Sequence, residues 1–367
     1  MTSNAFSVFA RGVIAGATAL LLGVIGWGFL SGELGSGGPL VSGDSFGVAR
    51  GASGDLEGED LEGGVLVQDE RADTIWVFDP VTGDRRGEIA VARPFLEMVP
   101  TPGGVSVFTV VEGAAELEVY STTEYHHEAT IELESERLGA GAQPEHLLFS
   151  ENGDTLFVTW RNSPVVSVYS HSMRELSLRH EFEIPESSGP LLRNRRATRL
   201  YRSTPDGPAV VFARNGELLE TISASPAAWR FNSGYTHLWG VDEHGGVQLV
   251  EERTSRLAQP DLPSAAEGEP VFASGAETAF VLSSGGRRVA AFESRTGRLI
   301  REIELPSAAT HLVSSGAGTV WAVDEHGEVS VIDPSVPALQ ERFALQDAVP
   351  KTVVSSIVQR EGSFACF

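Results

Sequence analysis

The chain has 367 residues, 41% hydrophobic and 21% charged, with 40 glycines and 19 prolines; this is the composition of a folded protein and excludes a wholly disordered chain or a multi-span membrane protein. Asp and Glu outnumber Lys and Arg by 50 to 27, a net charge of −23, so the surface repels polyanions and no nucleic-acid partner is expected. A single cysteine, Cys366, excludes an intrachain disulfide and any Cys-based zinc or iron–sulfur site.

The first element is apolar. No charged residue occurs between Arg11 and Glu33, and residues 12–32 read GVIAGATALLLGVIGWGFLSG. As a helix this run spans about 30 Å, the hydrocarbon thickness of a bilayer. It exceeds the apolar core of a secretory signal, and Phe29-Leu30-Ser31-Gly32-Glu33 makes a poor cleavage site. A retained transmembrane signal anchor is therefore expected over a cleaved leader, with lipid around residues 12–32. Trp27 and Phe29 suit an interfacial aromatic belt. Residues 1–11 carry Arg11 and no acid, whereas the segment after the anchor is acidic. The positive-inside rule then leaves 1–11 as a cytoplasmic stub and puts the bulk of the chain in the periplasm or outside the cell. Small residues at four-residue spacing (Gly12 and Gly16; Ala15, Ala19 and Gly23) are candidates for a helix-packing face, although Gly and Ala are common in membrane helices anyway.

Residues 33–63 are rich in Gly, Ser and acids, without periodicity, and read as a self-repelling tether. From residue 64 to 367 short β-prone runs recur, such as Val65-Leu66-Val67 and Thr74-Ile75-Trp76-Val77-Phe78, separated by Asp, Asn, Gly and Pro turns. The predicted fold class is all-β.

Internal repeats specify the architecture. Leu238-Trp239-Gly240-Val241-Asp242-Glu243-His244-Gly245 matches Val320-Trp321-Ala322-Val323-Asp324-Glu325-His326-Gly327, and a third copy starts at Phe280. The period is near 41 residues, the length of one four-stranded propeller blade. Candidate repeat starts fall near Val65, Val105, Leu156, Val210, Leu238, Phe280 and Val320. They predict a roughly seven-bladed β-propeller, with six or eight blades left open. Trp76, Trp160, Trp229, Trp239 and Trp321 lie on strand patterns and are expected in the blade core.

The segments Trp76-Val77-Phe78-Asp79-Pro80-Val81-Thr82-Gly83-Asp84, Ser150-Glu151-Asn152-Gly153-Asp154-Thr155-Leu156-Phe157-Val158-Thr159, Phe292-Glu293-Ser294-Arg295-Thr296-Gly297-Arg298 and Val331-Ile332-Asp333-Pro334 resemble the YVTN-type bacterial β-propeller family. The resemblance covers the body, but no blade carries the complete family pattern, and the WD40 Gly-His and Trp-Asp signatures are absent. It implies a seven-bladed binding platform on the outer side of a bacterial membrane. The non-catalytic heavy subunits of quinoprotein amine dehydrogenases are built similarly.

Motifs for chemistry are sparse. His244 and His326 occupy matching Asp-Glu-His-Gly turns, which read as hairpin closures with glycine supplying the positive φ, not as a ligand pair. Glu124 and His127 have a Glu-x-x-His spacing on what reads as a strand, where the two side chains diverge. Gly43-Asp44-Ser45-Phe46-Gly47 matches a nucleophile elbow formally, but it lies in the tether, with no strand before it or helix after it. No catalytic residue, metal ligand or cofactor site is assigned. The dense basic cluster Arg193, Arg195, Arg196, Arg199 and Arg202 is the candidate partner-binding feature, able to grip carboxylates or phosphates, against the alternative of a solvated connection between blades. The expected function is a non-enzymatic, membrane-anchored accessory or scaffold subunit whose partners are other subunits of a membrane protein complex. The alternatives are a periplasmic dehydrogenase-like enzyme or a small-ligand sensor.

Overall fold

The computed structural model describes residues 64–356 apart from 71–72, 140, 173–174, 185–187, 205–206, 225, 274–276 and 347. The expected anchor, its small-residue stripe (Gly12, Gly16, Ala19, Gly23), the tether with its Gly-x-Ser-x-Gly match, and Cys366 lie outside the described residues. Among the described residues no helix is long and apolar enough to cross a membrane.

The described residues form seven antiparallel four-stranded sheets. Six are built from consecutive strands, with the first strand innermost: blade 2 over 95–132, blade 3 over 144–183, blade 4 over 188–222, blade 5 over 226–258, blade 6 over 266–304 and blade 7 over 309–344. Blade 1 is composite. Its three outer strands are Val65–Asp69, Thr74–Phe78 and Arg85–Ala90, and its innermost strand is Pro350–Ser355 from the other end of the described chain. Each innermost strand touches the next, and the ring closes from blade 7 through Pro350–Ser355 to blade 2. The body is a seven-bladed β-propeller.

Burial follows position in the blade. The second strand of blade 3, Thr155–Trp160, is buried at every residue, because neighbouring blades cover both of its faces. The outermost strand Leu299–Glu304 of blade 6 leaves Ile300, Arg301 and Glu304 in water. The core is accordingly not one central mass. Seven hydrophobic clusters lie one at each blade interface, for example Phe280, Val289 and Val320 between blades 6 and 7, and Val65, Trp321 and Val353 between blades 7 and 1. A blade alone would leave both faces wet, so stacking supplies the hydrophobic stabilisation. Trp160, Trp229, Trp239 and Trp321 are fully buried in these layers, as their strand positions suggest. Trp76 is half-buried, with Arg85 4.5 Å above its ring and its indole N–H donated to Asp69.

Six of the seven repeat starts fall on or beside the second strand of a blade, and the exception is Val210. It belongs to the third strand of blade 4, Gly207–Ala213; the second strand is Arg199–Thr204. That strand reads RLYRST, and its two arginines mask the buried pair Leu200 and Tyr201. Placing the start at Leu200 restores the period, 44 residues after Leu156 and 38 before Leu238.

Candidate functional site

A cleft of about 840 Å³ opens on the rim between blades 2 and 3. It exists because the connection from the outermost strand of blade 2 (His127–Glu132) to the innermost strand of blade 3 (Pro144–Phe149) is long and arches over the outer half of blade 3. Polar contacts strap the arch down. Ser135 Oγ donates to Glu181 at 2.6 Å, and the Arg137 backbone N–H reaches the other oxygen of that carboxylate at 3.0 Å. Arg137 also pairs with Glu183 at 3.0 Å. Tyr169 Oη donates to the Glu134 carbonyl at 2.5 Å. Burial, with Glu181 and Glu134 nearby, pushes the Tyr169 phenol well above its ordinary range, so it remains a donor. From below, Trp160 Nε1 donates to Ser167 Oγ at 2.8 Å, and Ser167 passes a bond to Glu181 at 2.6 Å. One carboxylate thus fixes the arch and orders the back wall.

The cleft has two kinds of surface. Its floor is aliphatic, made by half-buried Leu138, Leu176 and Leu178 packed on the cluster that contains Trp160 and Tyr169. Its mouth carries Glu132, Glu134 and Glu136, all exposed and without an ion pair among the described residues. Such a site offers desolvation to an apolar group and Coulombic attraction to a cation.

The arginine cluster does not form one surface. It maps to the first hairpin of blade 4, where Ser188–Arg193 turns back into Arg199–Thr204. Arg193 donates to the Phe149 carbonyl of blade 3 at 2.5 Å and lies 5.7 Å from the Tyr235 ring of blade 5. Arg195 pairs with Glu151 of blade 3 at 2.9 Å. Arg199 pairs with Glu220 and donates to the Glu252 carbonyl of blade 5 at 3.0 Å. Arg202 is buried. Only Arg196 is exposed and without an ion pair among the described residues. The hairpin therefore staples blade 4 to both neighbours.

The histidines do not converge. His244 and His326 are exposed at the tips of their turns, and Asp242 and Asp324 accept the turn N–H groups at 2.7–2.9 Å. Gly245 and Gly327 have φ of 78° and 82°, as expected for hairpin closure. His127 opens the outermost strand of blade 2, while Glu124 precedes that strand. No group of three or more His, Cys, Asp or Glu among the described residues could hold a metal ion.

The cleft went unassigned at the sequence level because it belongs to an insertion, not to the repeat. Its signal is the interval from Val105 to Leu156, about ten residues longer than the period, with LESERLGAGAQ as the surplus.

No protein-family model matches the chain, and no curated protein matches it. Solved structures do. A dihydro-heme d1 dehydrogenase, NirN, in complex with DHE, aligns with a TM-score of 0.62 at 10% identity over 81% of this chain and 76% of that one. A functionally unknown protein from Desulfotomaculum acetoxidans gives a TM-score of 0.61 at 12% identity over 80% of this chain and 98% of that one. Apo AztD from Citrobacter koseri gives 0.52 at 13% identity over 78% and 83%. At such identities the likeness is one of fold, and that fold is the seven-bladed β-propeller.

Proposed function

We propose that the chain is a non-enzymatic binding propeller, held outside the cytoplasmic membrane by an anchor at residues 12–32. In this reading it serves as an accessory or scaffold subunit of a membrane complex. Its partner lays a segment of alternating apolar and basic side chains into the blade 2–blade 3 cleft. The observation that supports this most directly is the cleft itself, a strapped and ready-made trough with a leucine floor and three unpaired carboxylates at its mouth. Because the arch is already tied down, little ordering entropy is lost on binding. The acidic balance of the whole chain adds long-range steering for a basic partner.

The test is a fluorescent Leu/Lys-alternating peptide titrated into the full-length protein in mild detergent. The wild type is expected to bind with an affinity that falls as salt rises. The triple variant Glu132→Gln, Glu134→Gln, Glu136→Gln keeps the floor and should bind about tenfold more weakly. Equal binding by both proteins, or no salt dependence, overturns the reading.

A further inference from the structure

Arg202 stands apart from the other arginines. It lies on the second strand of blade 4, two residues after Leu200, whose side chain packs against Phe157 and Val166 of blade 3. Arg202 presents itself to that same side, and the carboxylate whose field reaches it is Glu145, half-buried on the innermost strand of blade 3. Only 2% of Arg202 is exposed. Its Nε is enclosed and has no hydrogen-bond partner, and no ion pair reaches the guanidinium among the described residues.

An unpaired buried charge is among the least favourable features a fold can carry. Two other charges in the blades are satisfied. Glu118, 2% exposed, receives Arg93 Nε at 2.8 Å and the Tyr120 hydroxyl. Arg199, three residues before Arg202, is paired on both sides. Among the described residues Arg202 Nε lacks an acceptor.

We infer that the inner edge of the blade 3–blade 4 interface binds a small oxyanion, a carboxylate or a phosphate, which completes the hydrogen bonding of Arg202. The planar guanidinium fork matches two oxygens of either group. Glu145 opposes the ligand through its own negative charge and so sets the affinity. The site is independent of the rim cleft and stands whether or not that cleft takes a peptide.

The experiment uses the full-length protein in mild detergent, with inorganic phosphate and succinate as separate probes, read by thermal shift and isothermal titration calorimetry. One or both probes should raise the wild-type Tm saturably, and the probe that acts identifies phosphate or carboxylate as the ligand class. Arg202→Met should weaken that probe at least about tenfold. Glu145→Gln retains the arginine and removes the opposing charge, so it should tighten binding by about threefold or more; this arm decides the matter even if the methionine variant does not fold. Absence of a shift with both probes, an equal shift in wild type and Arg202→Met, or weaker binding by Glu145→Gln overturns the site.

Discussion

At the residue scale, His311 shows how a single side chain ties stability to pH. It lies on the innermost strand of blade 7 (Ala309–Ser314), and its Nε2–H donates to the Lys351 carbonyl of the closing strand at 3.1 Å. Its Nδ1 is 2.9 Å from Thr310 Oγ1, from which the neutral ring accepts. Burial holds its pKa below 6.5, outweighing the carbonyl that favours the cation. The unfolded chain therefore takes up a proton near pH 6.5 that the folded chain refuses, and stability declines as pH falls through that range. His237 is depressed for the same first reason, burial, so it adds to the effect. Asp79, whose burial is outweighed by the Thr82 and Val81 N–H groups and Arg86, is also lowered, but from 3.8, so its contribution is lost only in stronger acid. We expect the Tm to drop between about pH 7 and pH 5, and His311→Gln to reduce that drop while keeping a donor toward Lys351; thermal melts across the range check this. Residue roles of this kind were unevenly legible in the sequence. The Asp-Glu-His-Gly turns were readable because turn chemistry is local. His311 and Arg202 were not, because their surroundings come from strands about 40 and 57 residues away in sequence.

At the scale of the element, the blade joints rest on turn glycines. Gly286, in the hairpin between the second and third strands of blade 6, has φ of 73°, and its carbonyl accepts the Ala309 N–H that opens blade 7 at 2.9 Å. A Cβ there would collide with the Ala309 carbonyl oxygen. Its neighbour Gly285 has φ of 67° but open space around it. Gly286→Ala should therefore destabilise by about 3 kcal/mol, combining backbone strain with displacement of the joint. Gly285→Ala should cost about 1 kcal/mol, the strain alone. Urea unfolding of the pair measures the difference. Strands at this scale were legible wherever apolar residues ran unbroken, as in Thr278–Ser283 and Val320–Asp324. They were illegible where charge was folded inward, as in Arg199–Thr204, and the count of seven survived because the period bridged that gap.

At the scale of the whole molecule, closure holds the ring. Val65–Asp69 pairs with Pro350–Ser355 in the register Leu66 to Val354 and Val67 to Val353. Gly64 and Ser356 then lock the pair, with the Gly64 N–H donated to Ser356 Oγ at 2.8 Å and the Ser356 N–H returned to the Gly64 carbonyl at 2.9 Å. Ending the chain at residue 349 removes the innermost strand of blade 1, bares an edge, and strips Val353 from the interface with blade 7. Such a protein should lose its single cooperative unfolding transition and self-associate through the open edge, as light scattering coupled to size-exclusion chromatography would reveal.

That splice also fixes an order of events during biosynthesis. The ribosome delivers three strands of blade 1 before blades 2 to 7 and the fourth only after those six sheets have emerged. Until then the circle is a horseshoe, with Leu66 and Val67 waiting on their partners. The finished disc therefore forms only once Pro350–Ser355 has emerged, and a shorter nascent fragment offers neither a sealed seam nor a settled blade 1.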